Sequence, residues 1–268
     1  MLSTLLALFS CKKTPAANYA NDWSPYMCKV NNMVASVFVD LGVKAIAPDK
    51  NKPELLWVWV SMNSVREDGL PKDNEFEAQN KIEDILESEI TKKLKAIYVG
   101  RVTTSGRREY YFFGPSDNNF ENTVKAIMHK FPNNKYQFGS KSDPNWSQYF
   151  EFLYPTPQQY QCIQNMKVVE QLRKAGDKLE KARNVSHWAY FKDDKTREIF
   201  IQKTTKLGFT PNNEYKTFKS GEKYPYGIMI EKVDKVDPNS IDEVVINIWQ
   251  IARDLGGDYD GWETSVEK

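Results

Sequence analysis

Histidine and cysteine are scarce in this sequence, and their scarcity excludes much of the chemistry that they support. The 268 residues include two histidines, His129 and His187, and three cysteines, Cys11, Cys28 and Cys162. The spacing of the cysteines matches no zinc or redox motif. A metal site would have to rely on carboxylates, so we predict neither a metal ion nor a cofactor.

The sequence also lacks an excess of charge of one sign. Lysine and arginine number 37 and aspartate and glutamate 36, which gives a formal net charge of +1. That balance provides no overall attraction to nucleic acid or to acidic lipid. The sequence contains no glycine-rich phosphate-binding loop and no nucleophilic serine or cysteine motif, so we expect a non-catalytic protein.

The apolar stretch at residues 1–10 is too short to span a bilayer. Residues 8–11 (LFSC) resemble a lipobox, in which the cysteine is lipidated after cleavage, although no basic residue precedes the stretch and Phe9 is large. We expect Cys11 to anchor the chain in a bacterial cell envelope as a lipoprotein. The alternative is a cytoplasmic protein with an ordinary apolar N-terminus. The polar residues 12–25 are typical of a tether, so we place residues 1–25 outside the domains.

Strands and helices alternate through residues 26–155, which we interpret as a first domain. Apolar runs and period-two alternation predict strands, and amphipathic stripes predict helices. Predicted strands lie at 34–41, 55–62, 96–104, 107–113, 136–140 and 148–154, and predicted helices at 74–94 and 120–131. From residue 55 to 140 the order is strand, helix, strand, strand, helix, strand, which is the split βαβ or ferredoxin-like arrangement.

Residues 156–268 repeat that order and form a second domain in this interpretation. Thr156 and Pro157 are typical of a helix start, Gly176 of a helix end, and residues 240–243 of a capping box. Predicted strands lie at 185–191, 213–218, 226–236 and 259–266, and further helices at 195–207 and 240–255. The sequence thus predicts an α+β protein with two ferredoxin-like domains in tandem, joined by a helix.

Two blocks of the second half carry a family resemblance. The first is HWAYF at residues 187–191, and the second is YDGWE at residues 259–263. Together with Gly176, Asp177 and their neighbours, these blocks resemble the family of regulator B of ribonuclease E activity over residues 160–268. The resemblance implies a ferredoxin-like fold and a protein that binds and restrains an RNA-degrading enzyme in the cytoplasm.

The hairpin of the first half carries a second resemblance. Residues 98–103 (YVGRVT) followed by 108–112 (REYYF) are similar to the domain of unknown function family numbered 695. Domains of these two families occur fused in this order. The implied partner of the whole chain is another protein, which would be a ribonuclease only if the chain is cytoplasmic.

The two blocks and their flanks supply the candidate partner-binding residues. They are Asp177, Arg183, His187, Trp188, Tyr190, Tyr259, Asp260, Trp262 and Glu263. We expect strands 185–191 and 259–266 to be neighbours, because the first and fourth strands of this arrangement lie side by side. Alternation places Trp188 and Tyr190 on one face of the strand and His187 on the other. It leaves open which of these faces is core and which is interface.

Two alternative functions involve different chemistry. Asp260 and Glu263 with His187 as the base would form a hydrolase site. Turn chemistry equally explains the acidic cluster, and a core histidine bonded to a carboxylate such as Asp260 explains His187. Arginines 101, 107 and 108 beside the aromatic residues 110–113 would bind single-stranded RNA on a sheet face, but core packing also accounts for four consecutive aromatics.

Overall fold

The chain forms two compact units, one ending at Tyr154 and the other beginning at Pro155. The computed structural model describes residues 19–116 and 119–268, so the expectations for Cys11 and for residues 12–18 of the tether lie outside the described residues. Both units combine an antiparallel sheet with helices. The predicted α+β class with two domains is therefore confirmed.

The described residues of the first unit form a six-stranded sheet and two α-helices. Its elements are β1 (Trp23–Val30), β2 (Met33–Asp40), β3 (Glu54–Ser61), α1 (Phe76–Leu94), β4 (Ile97–Thr104), β5 (Arg107–Gly114), α2 (Phe120–Met128) and β6 (Tyr136–Ser142). The strand order is β1-β2-β4-β5-β3-β6, and all neighbouring strands are antiparallel. The β1-β2 hairpin thus extends a four-stranded sheet whose order is β6-β3-β5-β4.

The core of the first unit lies between this sheet and its helices. On α1, Ile82, Leu86 and Ile90 recur every four residues, so they form one apolar stripe. That stripe packs against Leu56 and Val58 of β3 in one buried cluster. Each such side chain contributes about 1.5–3 kcal/mol when it is fully buried.

Two predictions for the first unit are wrong. Strand β1 includes residues 23–25, which the sequence predicts to be tether. Asn31 and Asn32 form its hairpin turn with φ of 50° and 65°, a conformation that asparagine tolerates. The predicted strand at 148–154 is instead a π-helix, Gln148–Leu153. The carboxylate of Asp143 accepts hydrogen bonds from the amides of residues 147 and 148, which favours a helical start.

The second unit contains three helices and a four-stranded sheet. Its elements are α3 (Pro157–Lys174), β7 (Arg183–Phe191), α4 (Asp194–Thr205), β8 (Thr210–Phe218), β9 (Tyr226–Asp234), α5 (Pro238–Asp254) and β10 (Asp258–Thr264). The strand order is β10-β7-β9-β8, with antiparallel neighbours throughout. The predicted pairing of the first and last strands of this unit is confirmed.

Capping residues set the helix starts of the second unit. Thr156 and Gln159 form a reciprocal capping box in front of α3. The predicted capping box at residues 240–243 is wrong, because Asp237 caps α5 by accepting a hydrogen bond from the Ser240 amide at 3.2 Å. Pro238 at the first helical position favours this earlier start.

Candidate functional site

Strands β7 and β10 bring the two sequence blocks together. In the register of this pair, Trp262 lies opposite His187, and Gly261 lies opposite Trp188. A bulge between Tyr259 and Gly261 shifts the register. The nine candidate residues are consequently divided among a buried clasp, the core and the exposed side of the sheet.

Asp177 and Arg183 form the buried clasp. Their side chains pair through two hydrogen bonds, one of 3.0 Å between Arg183 Nη2 and Asp177 Oδ1. Asp177 also accepts from the amides of Leu179 at 2.7 Å and Glu267 at 2.8 Å. The Arg183 guanidinium holds the pKa of the Asp177 carboxyl well below its usual range, aided by these amides. The pair therefore joins the end of α3, the start of β7 and the C-terminal residues.

His187 belongs to the core of the second unit. Its side chain is buried, and its Nδ1 lies 2.9 Å from the hydroxyl of Tyr259. Phe209 meets the ring edge-on at 5.6 Å. Burial lowers the pKa of His187 to about 3, with a smaller effect from Lys232. The predicted carboxylate partner Asp260 is wrong, since the bulge leaves that residue exposed.

Trp262 is also buried, and it anchors β10 to the helices. Its Nε1 donates to Oδ1 of Asn165 on α3 at 3.1 Å, and Asn165 Nδ2 donates to Asp242 on α5 at 2.7 Å. Sequence reasoning missed Asn165 and Asp242. The sequence could have indicated Asn165, because this polar residue falls on the same face of α3 as the apolar residues. A buried amide at such a position needs hydrogen-bond partners.

A groove of about 770 Å³ runs between α3 and the edge strand β10. Its helix side includes Gln161, Gln164 and Val168, and its strand side includes the whole run from Asp258 to Glu263. Among the described residues, the one strand that pairs with β10 is β7. The outer edge of β10 therefore faces a groove instead of another strand.

Trp188 and Tyr190 continue the groove onto the sheet face that lies opposite the core. The ring of Trp188 meets Tyr215 edge-on at 5.2 Å. Tyr190 lies across Gly227, where an added Cβ would be 2.5 Å from Thr217 Oγ1 and 2.9 Å from the tyrosine ring, so a larger residue here would displace these side chains. Both aromatic side chains are half-buried, and both line the groove.

The rim of the groove carries negative charge. Asp258, Asp260 and Glu263 are exposed and line it. Burial raises the pKa of the Tyr190 hydroxyl, and the charge of Asp260 adds to that effect. The strand side of the groove thus offers carboxylates and aromatic rings to a ligand.

The residues of the alternative hydrolase site and of the alternative RNA-binding surface do not come together in the structure. His187 points to the core while Glu263, opposite Ser186 in the register, lies on the other face, so the proposed acid and base do not converge. Within residues 19–116 and 119–268, no group of three potential ligands could hold a metal ion. In the first unit, Arg108 is buried and Phe113 stacks on Trp146, so these residues do not form an RNA-binding surface.

Fold and site define a two-domain α+β protein with an acidic, aromatic groove beside an edge strand of the second domain. The model of a family of unknown function (DUF695) matches residues 21–154, half of the chain, and the chain belongs to that family. The model described as regulator of ribonuclease activity B matches residues 163–264. Both matches agree with the resemblances read from the sequence.

Comparisons with curated proteins and with solved structures do not assign a function. Among curated proteins, none matches this sequence. A crystal structure described as an unknown protein from Galdieria sulphuraria covers 80% of this chain and 99% of its own, at 9% identity and a TM-score of 0.22, which is too low to support an inference. In the part of the chain that the structure describes, no helix has both the length and the apolar character to cross a membrane.

Proposed function

We propose that this chain is a non-catalytic regulatory protein whose second domain binds a segment of another protein in the groove between α3 and β10, and that this partner is an RNA-degrading enzyme if the chain is cytoplasmic. The match to regulator of ribonuclease activity B supports a regulatory role and a protein partner. The observation that carries the proposal is the groove itself: β10, which pairs with β7 alone among the strands that the structure describes, borders a cavity large enough for a peptide.

An edge strand binds an extended segment by adding it to the sheet. The unpaired backbone groups of β10 would supply the hydrogen bonds, and alternate side chains of the segment would enter pockets. On the strand side of the groove, such side chains would meet Trp188 and Tyr190. Tryptophan and tyrosine are the residues that most often dominate binding energy at interfaces.

The charges of the groove favour a segment with lysine or arginine residues. Among the described residues, the lining includes one cation, Lys167, against the carboxylates of Asp258, Asp260 and Glu263, so the excess negative charge would attract basic side chains and repel the phosphates of RNA. The partner is therefore proposed to be the ribonuclease protein and not its RNA substrate. Regulation would follow from occupation of a segment that the enzyme uses for its own activity or assembly.

Charge reversal in the groove tests this proposal. Asp258→Lys combined with Asp260→Lys should weaken binding to purified ribonuclease E of the same organism at least about tenfold, because attraction becomes repulsion. Glu243→Lys is the matched control, since Glu243 is an exposed carboxylate on α5 outside the groove. Titration calorimetry measures the affinities, and an RNA cleavage assay measures restraint of the enzyme.

Equal affinities of the reversed and control variants would exclude the groove as the binding site. Absence of binding by the natural sequence would exclude this ribonuclease as the partner. Recovery of RNA by the protein alone, weakened by salt, would instead favour the single-stranded RNA alternative.

The cellular location of the chain is the subject of a separate proposal. Cys11 is proposed to carry lipid, and the resemblance of residues 8–11 to a lipobox is what supports it. Membrane fractionation of the natural sequence and of Cys11→Ala tests the idea. A natural protein that is soluble and retains Met1 would contradict it and would favour the cytoplasmic ribonuclease as the partner.

A further inference from the structure

The first domain contains a cavity of about 300 Å³ that the proposed function does not use. The cavity lies beside the start of α1 and the helix-facing side of β2, β4 and β5. Three arginines line it, Arg66, Arg101 and Arg108, and none of its lining residues is a carboxylate. A concentration of guanidinium groups at a cavity is the usual means of recognising an oxyanion.

Two of these arginines share one carboxylate. Glu83 accepts a hydrogen bond from Arg101 Nε at 2.9 Å and another from Arg108 Nη1 at 3.0 Å. Glu83 also accepts from the hydroxyl of Tyr98 at 2.9 Å, so its oxygens are well occupied. Two positive charges and one negative charge leave a net charge of +1 beside the cavity.

The remaining contacts of the two arginines supply no negative charge. Arg108 is 2% exposed, and its other hydrogen bonds go to the neutral oxygens of Thr103 and Asn80, each at 3.2 Å. The guanidinium of Arg101 lies over the ring of Phe38 at 4.9 Å. Among residues 19–116 and 119–268, no hydrogen bond reaches the terminal amino groups of Arg101. The Arg101 side chain is 18% exposed, so its terminal amino groups are accessible to an anion that enters the cavity.

Part of the mouth of the cavity is apolar. Met27 is 55% exposed and Phe76 is 46% exposed, although both are large hydrophobic residues, and Leu70 and Pro71 also line the cavity. Apolar side chains on one side of the cavity and arginines on the other suit a ligand that has an apolar body and a charged group.

We propose that this cavity binds a small organic carboxylate with an apolar body. The carboxylate would accept hydrogen bonds from Arg101 and Arg108, and the apolar body would pack between Met27 and Phe76. The planar fork of a guanidinium matches a carboxylate through paired hydrogen bonds. Arg66, at the rim and paired with Asp68, would contribute to attraction of the ligand.

Benzoate is the probe that tests the proposal, with benzyl alcohol as its neutral counterpart. NMR signals of the arginine Nε–H groups of the full chain are followed during titration. Benzoate should shift the Arg101 and Arg108 signals in a saturable way, and benzyl alcohol should not. Arg101→Gln should weaken benzoate binding about tenfold or more, as expected for loss of a charge-assisted hydrogen bond.

Arg107→Gln is the matched control, since Arg107 is a neighbour on β5 that does not line this cavity. It should leave benzoate affinity unchanged. If Arg101→Gln unfolds the domain, Arg66→Gln provides a second test, because Arg66 is exposed and should weaken binding without affecting the fold. Lack of saturation up to the solubility limit of benzoate, or equal affinities in all variants, would overturn the proposal. Tighter binding of inorganic phosphate than of benzoate would also overturn it.

Discussion

The two domains share an order of strands and helices. They differ in how far the sheet face that lies opposite the helices is covered. In the first domain, residues after β6 cover part of that face: Trp146 stacks on Phe113 with ring centres 4.1 Å apart, and Tyr149 donates to the carbonyl of Asp40 at 2.8 Å. In the second domain, Trp188 and Tyr190 on the corresponding face remain half-buried and line a groove. Aromatic residues therefore serve packing in the first domain and are available for binding in the second.

Removal of the Trp146 side chain, which covers the open sheet face of the first domain, should have the largest effect on stability. Trp146 is fully buried, and its Nε1 donates to the carbonyl of Lys52 at 3.0 Å. Trp146→Ala should lower the free energy of unfolding of the first domain by about 3–5 kcal/mol. Phe152→Ala, at an exposed position of the same segment, should cost much less in the same denaturant titration. Similar losses would mean that the segment does not act as a cover.

Loss of the clasp in the second domain should lower the free energy of unfolding nearly as much. Asp177→Ala leaves the buried guanidinium of Arg183 without its partner, so we expect a loss of about 3–5 kcal/mol. Because the pKa of Asp177 is depressed in the folded protein, its contribution is present above the unfolded-state pKa of a carboxyl and is lost as the pH falls below it. Chemical denaturation at neutral and acidic pH measures both effects. A variant as stable as the natural sequence would show that the pair is dispensable.

His187 should give the second domain a distinct pH dependence. Its folded-state pKa of about 3 lies below the ordinary value of 6.5, so the unfolded chain binds more protons between these two values. Stability should consequently fall as the pH drops below 6.5, and His187→Gln should reduce that slope. His129→Gln is the control, because His129 is exposed. Identical slopes in the three proteins would contradict the buried, neutral state of His187.

The smallest effect on stability is expected on the open face of the second sheet. Trp188→Ala should lower the free energy of unfolding by less than about 1.5 kcal/mol, because the side chain is only half-buried. Binding to the ribonuclease should nevertheless weaken strongly, as for a central aromatic residue of an interface. Trp262→Ala provides the contrast: Trp262 is buried in the core, and its loss should cost about 3–5 kcal/mol.

Sequence patterns were most informative where local and tertiary preferences agree. The apolar stripe of α1 and the alternation along β7 predicted the helix, the strand and the placement of His187 and Trp188 on opposite faces of that strand. The pairing of β7 with β10 followed from the element order alone. The aromatic residues 148–154 were wrongly predicted to form a strand, because the hydrogen bond from the Ser147 amide to the Asp143 carboxylate and the burial of Tyr149 favour a helical turn there.

The site itself was predicted only in part. Alternation separated Trp188 from His187 but did not reveal which face the helices cover, since that depends on packing between distant elements. The partners of Trp262 were missed for the same reason: Asn165 lies 97 positions away in the chain. The groove beside β10 depends on where α3 packs, which no local pattern specifies.

Hydrogen–deuterium exchange of the full chain, with and without purified ribonuclease E, tests the central claim most directly. Amides of β10 (Asp258–Thr264) that do not bond to β7 exchange readily if the edge is open. The account predicts that the partner protects these amides by adding a strand, and that the amides of β8, at the opposite edge of the sheet, are unaffected. A complex that forms without protection of β10 would contradict the account.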